Sequence, residues 1–200
     1  MSAGPTAERI YESLRHLIVS HGFRPGDRLD AAYLAQRLTS SVTPVRDALN
    51  TLVGEGLVES RRAGGFFVPP LDEPALKDMY AWEAQILRLA LKNSRLVKPG
   101  GTGGVSQLPY ADRIAEVFMS ITKGSPNPEH TKALGNLGAR LHAVRTLEVD
   151  IVDGAGAELG HLEYALDLAD RAALRKLLHL YHHRRTLAAA RLVRAAYRTG

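Results

Sequence analysis

The chain has 200 residues, 45% apolar and 24% charged, which is typical of a soluble globular protein with two modest domains. It lacks cysteine, which excludes disulfides, zinc ribbons and thiol catalysis, and no apolar run approaches the roughly 18 residues of a membrane span. The first residues lack the charged-then-apolar layout of a signal peptide. We therefore expect a cytoplasmic protein with no membrane partner.

The net charge of +5 permits nucleic-acid binding, but the distribution of charge does not locate it. Residues 1–70 carry eight Lys/Arg against seven Asp/Glu, whereas residues 171–200 carry eight basic residues and no acidic one. The function must therefore be argued from residue patterns and not from charge alone.

Apolar residues at helical spacing predict two helices near the N-terminus, over residues 7–20 and 31–38. Residues 23–27 are typical of a turn, and Asp30 is a suitable N-cap for the second helix. A third helix is predicted after Ser41, whose hydroxyl is expected to accept from the amide of Thr43. Pro44 then lies in the first turn, where its missing N–H has no cost.

The third helix has two distinct faces. One face is apolar and predicted to be buried, and comprises Val45, Ala48, Leu49, Leu52 and Val53. The other carries Val42, Thr43, Arg46 and Asn50 at spacings of three and four residues. A polar, cationic N-terminal face on a short helix is what base reading in the major groove requires.

Two short β-rich segments follow, 57–61 and 65–68, joined by a basic, glycine-containing tip at 62–64. Three helices and a hairpin predict a winged helix-turn-helix over residues 1–70. The same pattern also fits a small α+β core with a solvated charged face, and spacing alone does not separate the two.

The motifs PGDRL (25–29), LA (34–35), SVTPVRDAL (41–49), EGLV (55–58) and GGF (64–66) resemble the GntR family of bacterial regulators over about residues 8–69. The resemblance implies a homodimer on a palindromic double-stranded DNA operator, with the third helix in the major groove and the wing in the minor groove. It implies that Thr43 and Arg46 contact bases or phosphates, and that Gly64 lets the wing approach the backbone. The expected DNA-binding residues are Arg28, Ser41, Val42, Thr43, Arg46, Asn50, Arg61, Arg62 and Gly64. For Arg28, Arg61 and Arg62 a solvated surface role is the alternative to phosphate contact.

The chain departs from the family pattern at the reading helix and before the second helix. Val42 stands where the family usually has arginine, and Ala31 and Ala32 stand where it usually has glutamate and often arginine. Each lost bidentate base contact is worth about 1–3 kcal/mol. The operator therefore need not follow the usual family consensus.

From Asp72 onward, helical periodicity predicts helices to about residue 93 and over 109–123, 128–152, 157–168 and 170–198. Residues 93–106 are glycine-rich and show no period. The fold class is therefore mainly α: an N-terminal winged helix-turn-helix with a small β-hairpin wing, and a C-terminal all-helical bundle over residues 71–200 for effector binding and dimerisation.

The helical half resembles a degenerate, shortened form of the FadR-like branch with its FCD-type domain, which binds small carboxylates, often through a metal. At the positions of the branch's four metal ligands this chain has Ile114, Phe118, Leu159 and Tyr181. At the position of the branch's effector-binding arginine it has Glu83. We therefore predict no metal, no cofactor and no ordinary dicarboxylate effector. The predicted effector pocket comprises Glu83, Phe118, Arg140 and Tyr181. Alternatively, Glu83 pairs with Arg140 or Arg145 across the bundle.

His142, His161 and His183 form an alternative metal set, but a two-residue displacement turns a helical side chain by about 200° and disfavours it. The basic run 179–198 is predicted to be a solvated cationic face that includes Arg184, Arg185, Arg191 and Arg194. Binding of an acidic partner or of the DNA backbone there is the alternative.

These patterns favour a sequence-specific transcriptional regulator, by resemblance a repressor, with control by a small-molecule effector left open. The alternative is a ligand-free dimeric DNA-binding protein whose helical domain binds a protein partner. An enzyme is disfavoured, because no nucleophile–base pair is evident and residues 100–104 lack the strand and lysine of a phosphate loop.

Overall fold

The structure, a computed structural model, describes residues 5–20, 23–62, 64–96 and 107–198. Most of the predicted glycine-rich segment, residues 97–106, lies outside this part of the chain. Two compact units are present: an N-terminal unit of Met1–Leu71 with Ala196–Gly200, and a helical unit of Asp72–Ala195. The structural division falls at residue 71, and the functional assignment of each part remains a prediction.

The described residues of the N-terminal unit form three helices and three short strands. In chain order they are α1 (Pro5–Val19), β1 (Arg28–Leu29), α2 (Ala31–Arg37), α3 (Val42–Gly54), β2 (Glu59–Ser60) and β3 (Phe66–Phe67). Both α1 and α2 pack against α3. Their shared core is aliphatic, and its most buried members are Ile10, Leu14, Leu34, Val45, Leu49 and Leu52.

The wing belongs to a three-stranded antiparallel sheet with the order β1-β3-β2. Arg28 pairs with Phe67 and Leu29 with Phe66, while Glu59 and Ser60 pair with the same two phenylalanines from the other side. The sequence predicted the hairpin β2–β3 but not β1. A two-residue strand shows no alternation, and only Leu29 of the pair is buried.

Side-chain caps fix where several helices begin. Asp30 accepts from the amides of Ala32 and Tyr33, which confirms its predicted N-cap role. Asp72, Asn127 and Asp170 act in the same way at the starts of three later helices. Each of these residues marks the start of a helix, because its side-chain oxygen accepts from amides that have no partner within the helix.

The helical unit consists of α4 (Glu73–Asn93), α5 (Tyr110–Lys123), α6 (Pro128–Ile151), α7 (Ala155–Asp167) and α8 (Arg171–Ala196). Helix α5 packs against α4, α6 and α7, and α4 also packs against α6. Helix α7 begins two residues before the predicted start, because Gly154 takes a left-handed conformation (φ 69°) and forms the N-cap itself. No helix in the described ranges is long and apolar enough to cross a membrane.

Candidate nucleic-acid interface and the interior of the helical unit

The predicted reading face of α3 is exposed. Val42, Thr43, Arg46 and Asn50 are all solvent-accessible, and Val42 keeps 38% of its surface. On the opposite side of the helix, Val45, Leu49 and Leu52 are fully buried. The apolar side anchors the helix in the core, so the polar face is held outward without contributing to packing.

Ser41 occupies the N-cap position of α3 in an extended conformation, but its side chain makes no capping hydrogen bond. The expected bond to the amide of Thr43 is therefore wrong. The residue is exposed. Ser41 thus belongs to the exposed N-terminal end of α3 and does not cap the helix.

Two glycines shape the tip of the wing. Gly64 and Gly65 have φ values of 88° and 99°, which side chains with a Cβ rarely adopt. The amide of Gly64 donates to the carbonyl of Arg61 at 2.8 Å, which closes the turn. Arg62 and Gly64 are exposed at this tip, which leaves the backbone open to close approach.

Arg61 lies at the base of the wing and has partners within the protein. Its Nε atom lies 2.6 Å from Oε1 of Glu59, and its guanidinium carbon lies 3.9 Å from the ring centroid of Phe67. A cation over an aromatic face is attracted to it. Arg61 therefore stabilises the wing, whereas Arg62 has the exposed position at the tip.

Arg28 connects the wing with the start of α2. A Cβ on Gly65 would lie 3.6 Å from Nε of Arg28, so this side chain reaches the wing. The pKa of Asp30 lies below its usual range, first because the amide of Tyr33 donates to its carboxylate and also because Arg28 and Arg46 are nearby. The predicted DNA-contacting cations Arg28 and Arg46 are thus both close enough to the Asp30 N-cap to favour its charged form.

The interior of the helical unit contains a buried ion pair between Glu83 of α4 and Arg145 of α6. Nε2 of His182 lies 3.3 Å from the second carboxylate oxygen of Glu83. Burial alone would raise the pKa of the Glu83 carboxyl, but Arg145 and His182 outweigh burial and hold that pKa below its usual range. Of the two predicted partners of Glu83, Arg140 and Arg145, it is Arg145 that forms the ion pair in the structure.

A second buried carboxylate, Glu148, accepts from four side chains. Arg185, Tyr80 and Tyr110 donate to it at 2.8–3.0 Å, and Tyr181 donates at 3.1 Å. Burial and the neighbouring Glu148 carboxylate raise the pKa of each of these three tyrosines well above the usual range. The phenols therefore keep their protons and remain donors.

Arg185 connects this cluster to α7. It pairs with Glu158 as well as with Glu148, and it is fully buried. Arg184 also pairs with Glu158, at 3.1 Å, and donates to the backbone carbonyl of Asp153. The predicted solvated cationic face is therefore wrong for Arg184 and Arg185, whereas Arg191 and Arg194 are exposed.

Three of the four predicted effector residues lie together in this interior. Glu83, Phe118 and Tyr181 are buried, and the rings of Phe118 and Tyr181 meet edge to face at 5.1 Å. Arg140 is exposed and does not join them. It precedes Arg145 by five residues, which turns its side chain about 140° away around α6.

The predicted alternative metal set is also dispersed. Nδ1 of His142 lies 3.8 Å from a carboxylate oxygen of Asp112, while His161 is exposed and His183 stacks with His179 at 6.3 Å. In the part of the chain that the structure describes, no group of three or more His, Asp or Glu side chains is arranged to hold a metal ion.

Sequence reasoning missed Glu148, Glu158 and Arg185 as interior residues. A signal was available for one of them, since Glu148 continues the stripe Leu134, Leu137, Leu141 and Val144 on α6. A carboxylate at a core position of an amphipathic helix indicates a buried partner.

Residues 6–68 match the family described as "Bacterial regulatory proteins, gntR family". The chain is 28% identical over 185 residues to the Nta operon transcriptional regulator of Aminobacter aminovorans, covering 84% of this chain and 87% of that protein. It is 32% identical over 89 residues to the HTH-type transcriptional regulator McbR of Escherichia coli (strain K12), covering 42% and 40% of the two chains.

The fold is also found in a solved structure, a putative transcriptional regulator GntR from Rhodococcus sp. RHA1. The TM-score is 0.70 at 20% identity, and the match covers 94% of this chain and 98% of that one. The similar proteins are transcriptional regulators and not enzymes. The chain has an N-terminal winged helix-turn-helix, which matches the gntR family over residues 6–68, and a helical C-terminal part, and it is similar to bacterial transcriptional regulators.

Proposed function

We propose that the chain acts in the cytoplasm as a repressor that binds a short palindromic operator as a homodimer. In this proposal α3 enters the major groove and the wing lies along the minor groove. One observation carries the proposal: Thr43, Arg46 and Asn50 are exposed on one face of α3, while the opposite face is buried in the core.

The side chains of α3 have distinct proposed roles. Arg46 and Asn50 carry the donors that read purine edges, and Thr43 lies one turn before Arg46 on the same face. Val42 offers a methyl-sized apolar contact, of the kind that recognises the thymine methyl, where the family usually places arginine. Ser41 adds a hydroxyl at the exposed end of the helix.

The remaining contacts are proposed to position the protein on the phosphate backbone. Arg28 and Arg62 are exposed cations beside the wing, and Gly64 removes the steric barrier to close approach. Arg61 contributes less, because Glu59 and Phe67 already engage its guanidinium.

The helical domain, residues 71–200 in the proposal, holds the two copies together and receives the regulatory signal. A ligand that prefers one dimer arrangement would shift the population between DNA-binding and non-binding forms. The DNA-binding domain, residues 1–70, would then follow the spacing that the helical domains impose.

Selection of bound sequences from random DNA tests the proposal, with the intact chain compared with Arg46→Ala. We expect an inverted-repeat motif for the intact chain and, for Arg46→Ala, relaxed preference with affinity lower by about ten- to a hundredfold, which corresponds to about 1–3 kcal/mol. Arg140→Ala removes an exposed arginine of the helical unit and serves as the control that keeps both properties. Unchanged affinity and preference in Arg46→Ala would show that α3 does not read the operator.

A further inference from the structure

Four side chains from three helices converge on the carboxylate of Glu148 inside the helical unit. Its Oε1 accepts from the phenol of Tyr80 at 2.8 Å, and its Oε2 accepts from Tyr110 at 3.0 Å and from Tyr181 at 3.1 Å. Nε of Arg185 donates to the same Oε2 at 3.0 Å. Both oxygens are thus bound by donors, and Glu148 is fully buried. We call these four donors the Glu148 cradle.

The donors of the Glu148 cradle are also held by partners other than Glu148. Arg185 pairs with Glu158, and its Nη1 donates to the carbonyl of Tyr181 at 3.2 Å. Its Nη2 donates to the hydroxyl of Tyr110 at 2.6 Å. Because these contacts do not involve the Glu148 carboxylate, the geometry that binds it is built into the surrounding helices.

Two guanidinium groups lie beside positions at which the branch that the helical half resembles has metal ligands. Cζ of Arg185 lies 3.5 Å from the ring centroid of Tyr181, and Cζ of Arg145 lies 5.5 Å from that of Phe118. Both distances allow a cation–π interaction. Arg145 and Arg185 are fully buried, and charges in such a low-dielectric interior strongly repel a further cation.

The side chains at the branch's four ligand positions do not fit a metal ion. Ile114, Phe118 and Leu159 carry no donor atom, and all three are buried. Burial and the nearby Glu148 carboxylate raise the pKa of the Tyr181 phenol, which therefore stays protonated and donates to Glu148. One protonated phenol is fewer than the three protein ligands of even an open metal site.

We propose that the helical unit carries its interior ligand covalently. The Glu148 carboxylate occupies the site that the Glu148 cradle would otherwise offer to a free carboxylate, and Arg145 and Arg185 supply positive charge in place of a metal ion. The native chain therefore binds neither a metal ion nor a free carboxylate there, and its own side chains fill the predicted effector pocket. This proposal concerns the helical unit alone and does not rest on operator binding.

Replacement of Glu148 by alanine tests the Glu148 cradle. Glu148→Ala deletes Cγ and the carboxyl group, which together correspond to acetate. We expect this variant to melt at a lower temperature than the native chain, and acetate to restore much of the loss. At about 500 mM acetate, roughly fifty times a Kd of about 10 mM, binding would favour the folded state about fiftyfold. Butyrate, which is too long for the vacated space, should restore less, and potassium chloride of the same ionic strength should restore none.

Two further variants separate acetate binding from a general effect of the salt. Glu148→Gln is also destabilised, but its amide fills the site, so acetate should shift its melting temperature no more than that of the native chain. Glu163→Ala removes the bidentate partner of Arg113 at a half-buried place and vacates no buried cradle, so acetate should not rescue it. Equal acetate shifts in Glu148→Ala and in these two variants would overturn the proposal.

A double-mutant cycle decides the matter if Glu148→Ala stays unfolded with acetate. Tyr80 donates to Oε1 of Glu148, so Tyr80→Phe should lower the melting temperature of the native chain more than that of Glu148→Gln. Equal losses in the two backgrounds would show that the carboxylate does not organise its donors and would overturn the proposal.

The part of the proposal that concerns metal is tested on the native chain, dialysed against EDTA and then melted with and without ZnCl2 or NiCl2. We expect the same melting temperature before and after dialysis, and no rise when either metal is added. A rise that is lost in Tyr181→Phe would place a metal ion in the interior and overturn the proposal.

Discussion

The two units of the molecule use arginine in opposite ways. In the N-terminal unit, Arg28, Arg46 and Arg62 are exposed, and the stability of the unit comes from an aliphatic core. In the helical unit, Arg145 and Arg185 are 1% and 0% exposed and neutralise buried carboxylates. The net charge of the sequence therefore says little about function, because buried carboxylates neutralise part of the positive charge of the C-terminal segment.

The difference follows from the cost of burying charge. A charge removed from water is tolerated only when it is paired and hydrogen-bonded, and Glu83, Glu148 and Glu158 supply those partners. The exposed arginines of the N-terminal unit remain hydrated and need no partner to stay charged. The first group should matter for stability and the second for binding, which gives a comparison that single substitutions can test.

Glu148→Gln should have the largest effect on stability. It leaves the buried Arg185 guanidinium with one carboxylate fewer and three tyrosines donating to a neutral group, so we expect a loss of about 3–5 kcal/mol in the free energy of unfolding. The single tryptophan, Trp82, lies on α4, and its fluorescence during urea unfolding reports on this unit.

Arg46→Ala is the counterpart in the N-terminal unit. It removes an exposed arginine with no role in the core, and the free energy of unfolding, followed by circular dichroism, should stay within about 0.5 kcal/mol of the native value. Equal stability losses in Glu148→Gln and Arg46→Ala would contradict the contrast drawn between the two units.

Gly124→Ala should be the next most damaging change. A Cβ at this position would overlap the backbone carbonyl of Arg95, and the amide of Arg95 donates to the Gly124 carbonyl at 2.7 Å. Because backbone must move to make room, we expect a loss of about 1–3 kcal/mol in thermal or urea unfolding.

Gly135→Ala is the matched control, since a Cβ there meets nothing within 4 Å on α6. Alanine in a helix interior is favoured over glycine by about 0.5–1 kcal/mol, so this variant should be more stable than the native chain. If both substitutions shift stability in the same direction, the close approach of residues 95 and 124 does not restrain the helical unit.

Local patterns predicted most of the fold, and long-range pairing accounts for what they missed. The eight described helices follow from apolar periodicity, and the Asp30 cap follows from chemistry within three residues of chain. Strand β1 could not be predicted, because it exists only through pairing with Phe66 and Phe67, far along the sequence.

The burial of Arg185 could not be predicted from the sequence for a similar reason. On α8 it lies among other basic residues and resembles a solvated face. Its partners Glu148 and Glu158 lie 37 and 27 residues away on two other helices. The exposed polar face of α3 could be predicted because both faces of the helix are encoded within 13 residues, whereas the helical interior depends on contacts among α4, α5, α6, α7 and α8.

Tyr11→Phe should have the smallest of the three destabilising effects, after Glu148→Gln and Gly124→Ala, and it tests a polar contact of the N-terminal unit. The Tyr11 hydroxyl donates to Oε1 of Glu55 at 2.6 Å and connects α1 to the end of α3. Glu55 is partly exposed, unlike Glu148. We expect the variant to lose about 1 kcal/mol near neutral pH, while Tyr33→Phe, at a ring that is 56% exposed, should change little.

The stability difference between the native chain and Tyr11→Phe should also depend on pH, in a direction that the pKa of Tyr11 determines. Burial and the hydrogen bond to Glu55 raise the pKa of Tyr11 to about 12, from an ordinary value of 10. A phenol with a raised pKa contributes its full stabilisation below pH 10 and loses it as the pH rises through about 12. The stability difference between the native chain and Tyr11→Phe should therefore shrink over that interval, and a ¹³Cζ tyrosine titration by NMR should find Tyr11 still protonated at pH 11. Ionisation of Tyr11 near pH 10 would mean that the contact with Glu55 is absent in solution, and the N-terminal unit would then depend on its aliphatic core alone.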